Sequence, residues 1–186
     1  MVMMTIWKSL IQSKVDYCSQ LWSPTGQSSI SKLESIARQF TAQIAGLKEL
    51  DYWDRLKSLR LYSQERRRER YRILFIWKVL QGYTKGYTMN SMESPRRGRL
   101  VIVPNYSAGA PSAVKRAKEA SLAVQGAQLF NIIPRHLRDI KTGTVDQFKT
   151  ELDSWLTTLP DQPTIPGRLR AAQTNSLLHQ VTQQTT

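Results

Sequence analysis

"SQERRRERYRILFIWKVLQGY", residues 63–83, decides how the rest of the chain is read. Five arginines (Arg66, Arg67, Arg68, Arg70 and Arg72) crowd the start of a segment whose second half, Ile73 to Trp77, is apolar on every face. A helix that is apolar all round belongs inside a bundle, so the pattern predicts a long central helix whose first turns emerge from it. Ser63 stands where an N-cap is needed. The amino end of a helix carries partial positive charge, which disfavours each arginine there by roughly 0.3–1 kcal/mol at low salt. Glu65 with Arg68 and Glu69 with Arg72 make i,i+3 pairs worth about 0.2–0.5 kcal/mol each, and two glutamates do not neutralise five arginines. At about 100° per residue Arg66, Arg67 and Arg70 share one side of the helix. A row of phosphates along that side would compensate them, with first-turn N–H groups as further donors.

Upstream, Trp7, Leu10, Ile11, Val15, Cys18, Leu21 and Trp22 recur at three- and four-residue steps and predict a helix over about 4–22. Pro24 and Gly26 stop it. Ile30, Leu33, Ile36, Phe40 and Ile44 then mark a second amphipathic helix ending near Gly46, antiparallel to the first. Asp51 is placed to cap a short helix carrying Leu56 and Leu59. Residues 1–82 therefore read as a helical bundle.

Downstream, 83–112 turns to Gly, Pro, Tyr and Arg, a basic loop with one strand-like piece at "LVIV", Leu100 to Val103. Helical spacing returns weakly over 113–131, which ends in "LFNIIP", and firmly in "TVDQFKTELDSWLTTL". There Thr144 and Gln147 make a capping box, and Val145, Phe148, Leu152, Trp155, Leu156 and Leu159 form one face for docking on the bundle. Residues 113–159 are thus a second helical region, and the Gln- and Thr-rich residues 160–186 read as a disordered tail. The expected fold class is mainly α: a small helical bundle, a loop region with a short strand-like segment, and that tail.

The 27 Lys and Arg against 14 Asp and Glu give a net charge of +13. Such a balance suits a polyanionic partner, nucleic acid before anionic membrane. Residues 51–100 hold 13 of the basic residues and 5 acids, so the charge is local. "SPRRGRL" adds Arg96, Arg97 and Arg99 close in sequence to Tyr83, Tyr87 and Tyr106. Arginine with interleaved aromatics suits single-stranded or A-form nucleic acid, because rings stack on unpaired bases while guanidinium groups take phosphates. The nucleic-acid candidates are accordingly Arg66, Arg67, Arg70, Arg68, Arg72, Arg96, Arg97 and Arg99. Trp7, Trp22, Trp77 and Trp155 fall at core spacing and are expected to pack.

No catalytic residue, metal or cofactor is predicted. Polymerases and nucleases bring two or three carboxylates together on divalent metal, and the acids here are scattered. Asp51 reads as a cap and Asp54 as a first-turn acid favoured by the dipole. Cys18, the one cysteine, lies on the apolar face of the first predicted helix as a small core hydrophobe. His136 falls in an expected exposed turn. No phosphate-cradling Gly motif is present. The lone cysteine and the lack of a secretory core or an apolar run of ~20 residues lead us to expect an intracellular protein, nuclear or cytoplasmic.

"SLIQSKVDYCSQLWSP" (9–24), "LKSLRLYSQERRRERYRILFIWKVLQGY" (56–83), "RRGRLVIVP" (96–104), "LFNIIPRHLR" (129–138) and "FKTELDSWL" (148–156) follow one another in order. This succession resembles the C-terminal part of jockey-like, LINE-type non-LTR retrotransposon reverse transcriptases, over about 5–160. The resemblance implies a thumb-like bundle over 1–82 and a parent RNA-directed DNA polymerase with a palm whose paired catalytic aspartates are missing here. It implies that this region grips RNA template, RNA/DNA hybrid or DNA, and is not an enzyme by itself. The alternative is a retroelement-derived helical interaction module or remnant without a specific nucleic-acid function. A basic helix lying on a membrane surface fits less well, because Ile73 to Trp77 lies downstream of the arginines rather than opposite them.

Overall fold

A computed structural model describes residues 2–106, 111–163 and 175–184. The described residues are mainly helical with one two-stranded hairpin, and the chain divides into two compact units, Met1–Arg68 with Asp161–Ser176 and Glu69–Pro160 with Leu177–Thr186. The division falls inside the arginine-rich helix.

In the first unit, the helix expected over 4–22 is broken into pieces. These are α1 (Val2–Ile6), a π-helical stretch (Trp7–Gln12), α2 (Ser13–Asp16) and α3 (Ser19–Trp22). A π turn closes its hydrogen bonds five residues apart instead of four. Trp7 and Gln12, five apart, are therefore both buried, while Leu10 faces out, 63% exposed. Cys18 then adopts a left-handed φ of +50°, which a side-chain-bearing residue takes at some cost and which ends the helix. Leu21 and Trp22 are exposed as a result, and Cys18 is half-buried rather than a core residue.

The second predicted helix is α4 (Gln27–Ala42), but its inward side is Glu34, Ala37 and Thr41. Leu33 and Phe40 are only partly buried and Ile36 is exposed. Glu34 turns inward because donors wait there: the Tyr52 hydroxyl donates to its carboxylate, and the Gln64 N–H donates at 2.9 and 3.2 Å. Trp7, Ala37, Tyr52 and Leu56 make the core, with Met4, Ile11, Phe40, Trp53 and Leu61 packed on it. The rings of Trp7 and Phe40 lie 4.9 Å apart, bringing the start of the first segment to the end of α4 as antiparallel neighbours require. Asp51 caps α5 (Tyr52–Leu59), accepting the Asp54 N–H at 2.9 Å. Ser63 caps α6 (Gln64–Leu80), its Oγ accepting the Arg66 N–H at 3.1 Å.

The second unit is built on the apolar part of α6. α8 (Leu122–Ile132) packs against Ile76 and α10 (Val145–Leu156) against Trp77, and Ile73 and Leu137 of α9 (Arg135–Arg138) are buried in the same unit. Trp77 stacks on Phe148, centroids 4.6 Å apart and planes 9° apart, and its indole N–H donates to the Ile140 carbonyl at 3.1 Å. Gly126 lets α8 approach α6, since a Cβ there would meet Ile76 Cδ1 at 2.8 Å. Thr144 caps α10 as predicted, accepting the Gln147 N–H at 3.1 Å, and Phe148, Leu152 and Leu156 are buried while Trp155 is only partly so.

The loop region contains a hairpin, not one strand. Strand β1 (Ser91–Ser94) pairs antiparallel with β2 (Gly98–Val101), Ser91 opposite Val101 and Ser94 opposite Gly98. Leu100 and Val101 of the predicted "LVIV" lie in β2, and Ile102 and Val103 lie beyond it. Downstream, α7 (Ser112–Glu119) is exposed along its whole length. The tail expected to lack structure over 160–186 carries α11 (Leu177–Gln184). Leu177 is fully buried, and its N–H is received by the Glu69 carboxylate at 2.9 and 3.2 Å. The rest of that expectation, 164–174 and 185–186, lies outside the described residues. Among the described residues no helix is long and apolar enough to cross a membrane.

Candidate nucleic-acid interface

The arginines of α6 are buried or half-buried rather than projecting into solvent. Arg66 is fully buried, and Arg68 and Arg72 are 5% and 7% exposed. Carboxylates remote in sequence meet Arg66, Arg67 and Arg70 in place of phosphate. In the first unit Arg66 Nε lies 3.9 Å from Asp161, and Arg67 meets Asp16 through Nε at 2.7 Å and Nη2 at 2.6 Å. Arg68 donates to the carbonyls of Gln64 and Val15 at 3.2 and 3.3 Å and lies 4.8 Å over the Trp22 ring. In the second unit Arg70 grips Asp153 with two parallel bonds, the planar fork geometry that makes arginine–carboxylate pairs strong. Burial lowers the Arg72 pKa from its ordinary value, against the opposing charge of Glu69.

Acids also gather at the amino end of this helix. Asp161 accepts the Ser63 N–H and hydroxyl, both at 2.7 Å, and Glu34 accepts the Gln64 N–H. Asn175 completes the knot, donating through its amide to Ser63 Oγ at 3.0 Å and through its N–H to Glu65 at 3.1 Å. Helix dipole and guanidinium charge are thus balanced within the protein. The acids that meet Arg66, Arg67 and Arg70, namely Asp161, Asp16 and Asp153, stand far from them in sequence, which is why residues 63–83 alone look uncompensated.

Arg96 and Arg97 occupy the turn of the hairpin and are exposed. Among the described residues no carboxylate pairs with either. Arg99, one residue into β2, is different: 9% exposed, its guanidinium donates to the Leu80 carbonyl at 3.1 Å and its N–H to Asp139 Oδ1 at 2.8 Å. Gly98 takes a φ of +71°, and a Cβ there would meet Asp139 Oδ1 at 2.6 Å, so the turn is pressed against the end of α9.

This contact joins two pieces of sequence, "RRGRLVIVP" and "LFNIIPRHLR", into one site. Arg138 is buried and donates to the Ile133 carbonyl at 2.9 Å and the Arg99 carbonyl at 2.8 Å. Arg135 pairs with Asp139 at 3.0 Å and reaches the Pro95 carbonyl at 3.4 Å. Burial lowers the Arg138 pKa, and the charges of Arg135 and Arg97 lower it further, while Asp139 raises it. Asp139 itself is held below the usual carboxylate range by the Arg99 N–H and by Arg135. The result is a patch of like-charged guanidinium groups around one carboxylate, which an external anion would relieve. Sequence reading found Arg96, Arg97 and Arg99 but missed Arg135 and Arg138, although the basic "PRHLR" segment was the available signal.

Further basic residues, Lys115, Arg116 and Lys118, stand on exposed α7. No group of three His, Cys, Asp or Glu able to hold a metal ion occurs among the described residues. In comparisons with known proteins, no family model, curated protein or solved structure matches the chain.

Proposed function

We propose that this chain is a non-catalytic nucleic-acid-binding region of a non-LTR retrotransposon reverse transcriptase, gripping RNA or an RNA/DNA hybrid. Three features support the reading: the ordered sequence resemblance, the net charge of +13, and the exposed arginines of the hairpin turn beside Arg135. The observation that carries it is the last, because Arg96 and Arg97 are basic groups presented outward next to further positive charge. Among the eight candidate arginines these two are therefore the leading contacts. Arg66, Arg68, Arg72 and Arg99 are buried and hold the fold, and Arg67 and Arg70 are engaged by Asp16 and Asp153. The partner is phosphate backbone, so binding is set by charge more than by base sequence.

Fluorescence anisotropy with a labelled RNA/DNA hybrid at about 50 mM salt tests this directly. Binding that weakens in the double variant R96A/R97A is expected. A sample with full helical circular dichroism and no binding to hybrid, RNA or DNA would overturn the proposal.

A further inference from the structure

In the second unit a cleft of about 420 Å³ opens among the segments that flank the hairpin strands and α8, lined by Tyr87, Thr88, Asn90, Ile102, Pro104 and Tyr106 among others. Its two aromatic walls are built differently. Tyr87 is half-buried, its ring held edge-on by Phe75 with centroids 5.6 Å apart. Tyr106 is 38% exposed, and the Lys118 ammonium stands 5.2 Å from its ring centroid. Tyr87 and Tyr106 both line this cleft. Thr88 and Asn90 bring a hydroxyl and a carboxamide to the same cleft, and Ile102 and Pro104 bring apolar surface.

This combination has a definite chemical preference. Two phenol rings and an apolar wall favour a flat, polarisable group. The hydroxyl and carboxamide supply donors and acceptors for a heterocycle edge. The Lys118 ammonium beside the Tyr106 ring favours an anion attached to that group. A cleft of this size falls within the range of small-ligand sites, and one unstacked base fits it more naturally than a duplex end. The geometry points to a pocket for a single nucleobase of an unpaired strand. The base enters between Tyr87 and Tyr106, and Lys118 meets the adjoining phosphate. Lys115, one turn earlier on α7, lies 3.9 Å from Glu119, so Lys118 is the better-placed cation. The inference rests on the nucleic-acid reading above and narrows it: the hairpin arginines take backbone, and this cleft takes a base.

The test uses the full chain with two fluorescent probes, a short single-stranded RNA and an RNA/DNA hybrid of equal length. Stacking on an aromatic side chain is worth a change of roughly 5- to 150-fold per base. Tyr106→Ala is expected to weaken single-strand binding within that range and leave hybrid binding unchanged, while Tyr106→Phe retains both. Ile102→Trp, at a residue 50% exposed, fills the cleft without disturbing the core and is expected to repeat the loss. Hybrid binding with single-strand affinity untouched by Y106A and I102W would overturn the base pocket alone. Loss of both probes from the wild-type protein would overturn the underlying reading as well.

Discussion

Glu34 is a carboxylate almost fully enclosed by protein, yet it receives hydrogen bonds from the Tyr52 hydroxyl and the Gln64 N–H. Burial dominates those bonds and raises its pKa from 4.5 to about 7. The unfolded chain keeps the ordinary value, so between about 4.5 and about 7 the folded protein retains a proton that the unfolded chain has released. Stability is then fully expressed below this window, falls as pH rises through it, and by pH 8 has dropped by about 3 kcal/mol. Urea titrations at pH 5 and pH 8 should show most of that drop in the wild-type protein and little of it in Glu34→Gln. Gly98 is a second residue whose identity is dictated locally. Its positive φ and the approach of Asp139 leave no room for a side chain. Gly98→Ala should cost on the order of 1–3 kcal/mol, read as a lower thermal midpoint, with helix content retained below it.

At the scale of elements, periodicity identified α4, α5, α6 and α10, because each presents an apolar stripe or a capping residue, whereas the weak spacing over 113–131 is divided between two helices, α7 and α8. It failed where geometry departs from the regular helix. The π turn at Trp7–Gln12 rotates the buried side by one residue, and the left-handed Cys18 ends a helix that spacing would continue. Strand β1 was invisible because "SMES" carries no β-branched or aromatic residue; its pairing is supplied by β2, which α8 in turn holds. Asn131 of α8 donates to the Val101 carbonyl and accepts the Val101 N–H, both at 2.8 Å, acting as an extra partner along that strand. Asn131→Ala leaves both groups unmatched and should destabilise by roughly 1–3 kcal/mol, with faster hydrogen exchange at the Val101 amide than at the α6 amides. The amino end of α6 gives a further prediction. Arg66→Ala removes the buried partner of Asp161 and should cost about 3 kcal/mol of stability, whereas R96A/R97A should leave the thermal midpoint nearly unchanged.

Over the whole molecule, the surplus of positive charge is legible from composition, but not its distribution between interior and surface. Residues 63–83 hold the densest arginine run, and a row of phosphates along Arg66, Arg67 and Arg70 was the natural expectation. Folding supplies Asp16, Asp153 and Asp161 to those side chains instead, from positions that a local reading of sequence does not connect with them. Of the eight candidate arginines, the exposed ones are Arg96 and Arg97, on a turn whose neighbours Arg135 and Arg138 come from another part of the chain. The candidate site was therefore half legible: the hairpin arginines were visible, and their α9 companions were not. The central claim is that the hairpin arginines, rather than those of α6, meet nucleic acid. The salt dependence of RNA/DNA hybrid affinity tests it most directly, because each lost phosphate contact flattens the log–log slope by about 0.7–0.9. The account predicts a slope flattened by about 1.4–1.8 in R96A/R97A and unchanged in R67A/R70A. The reverse pattern, in variants with wild-type helical circular dichroism, would contradict it.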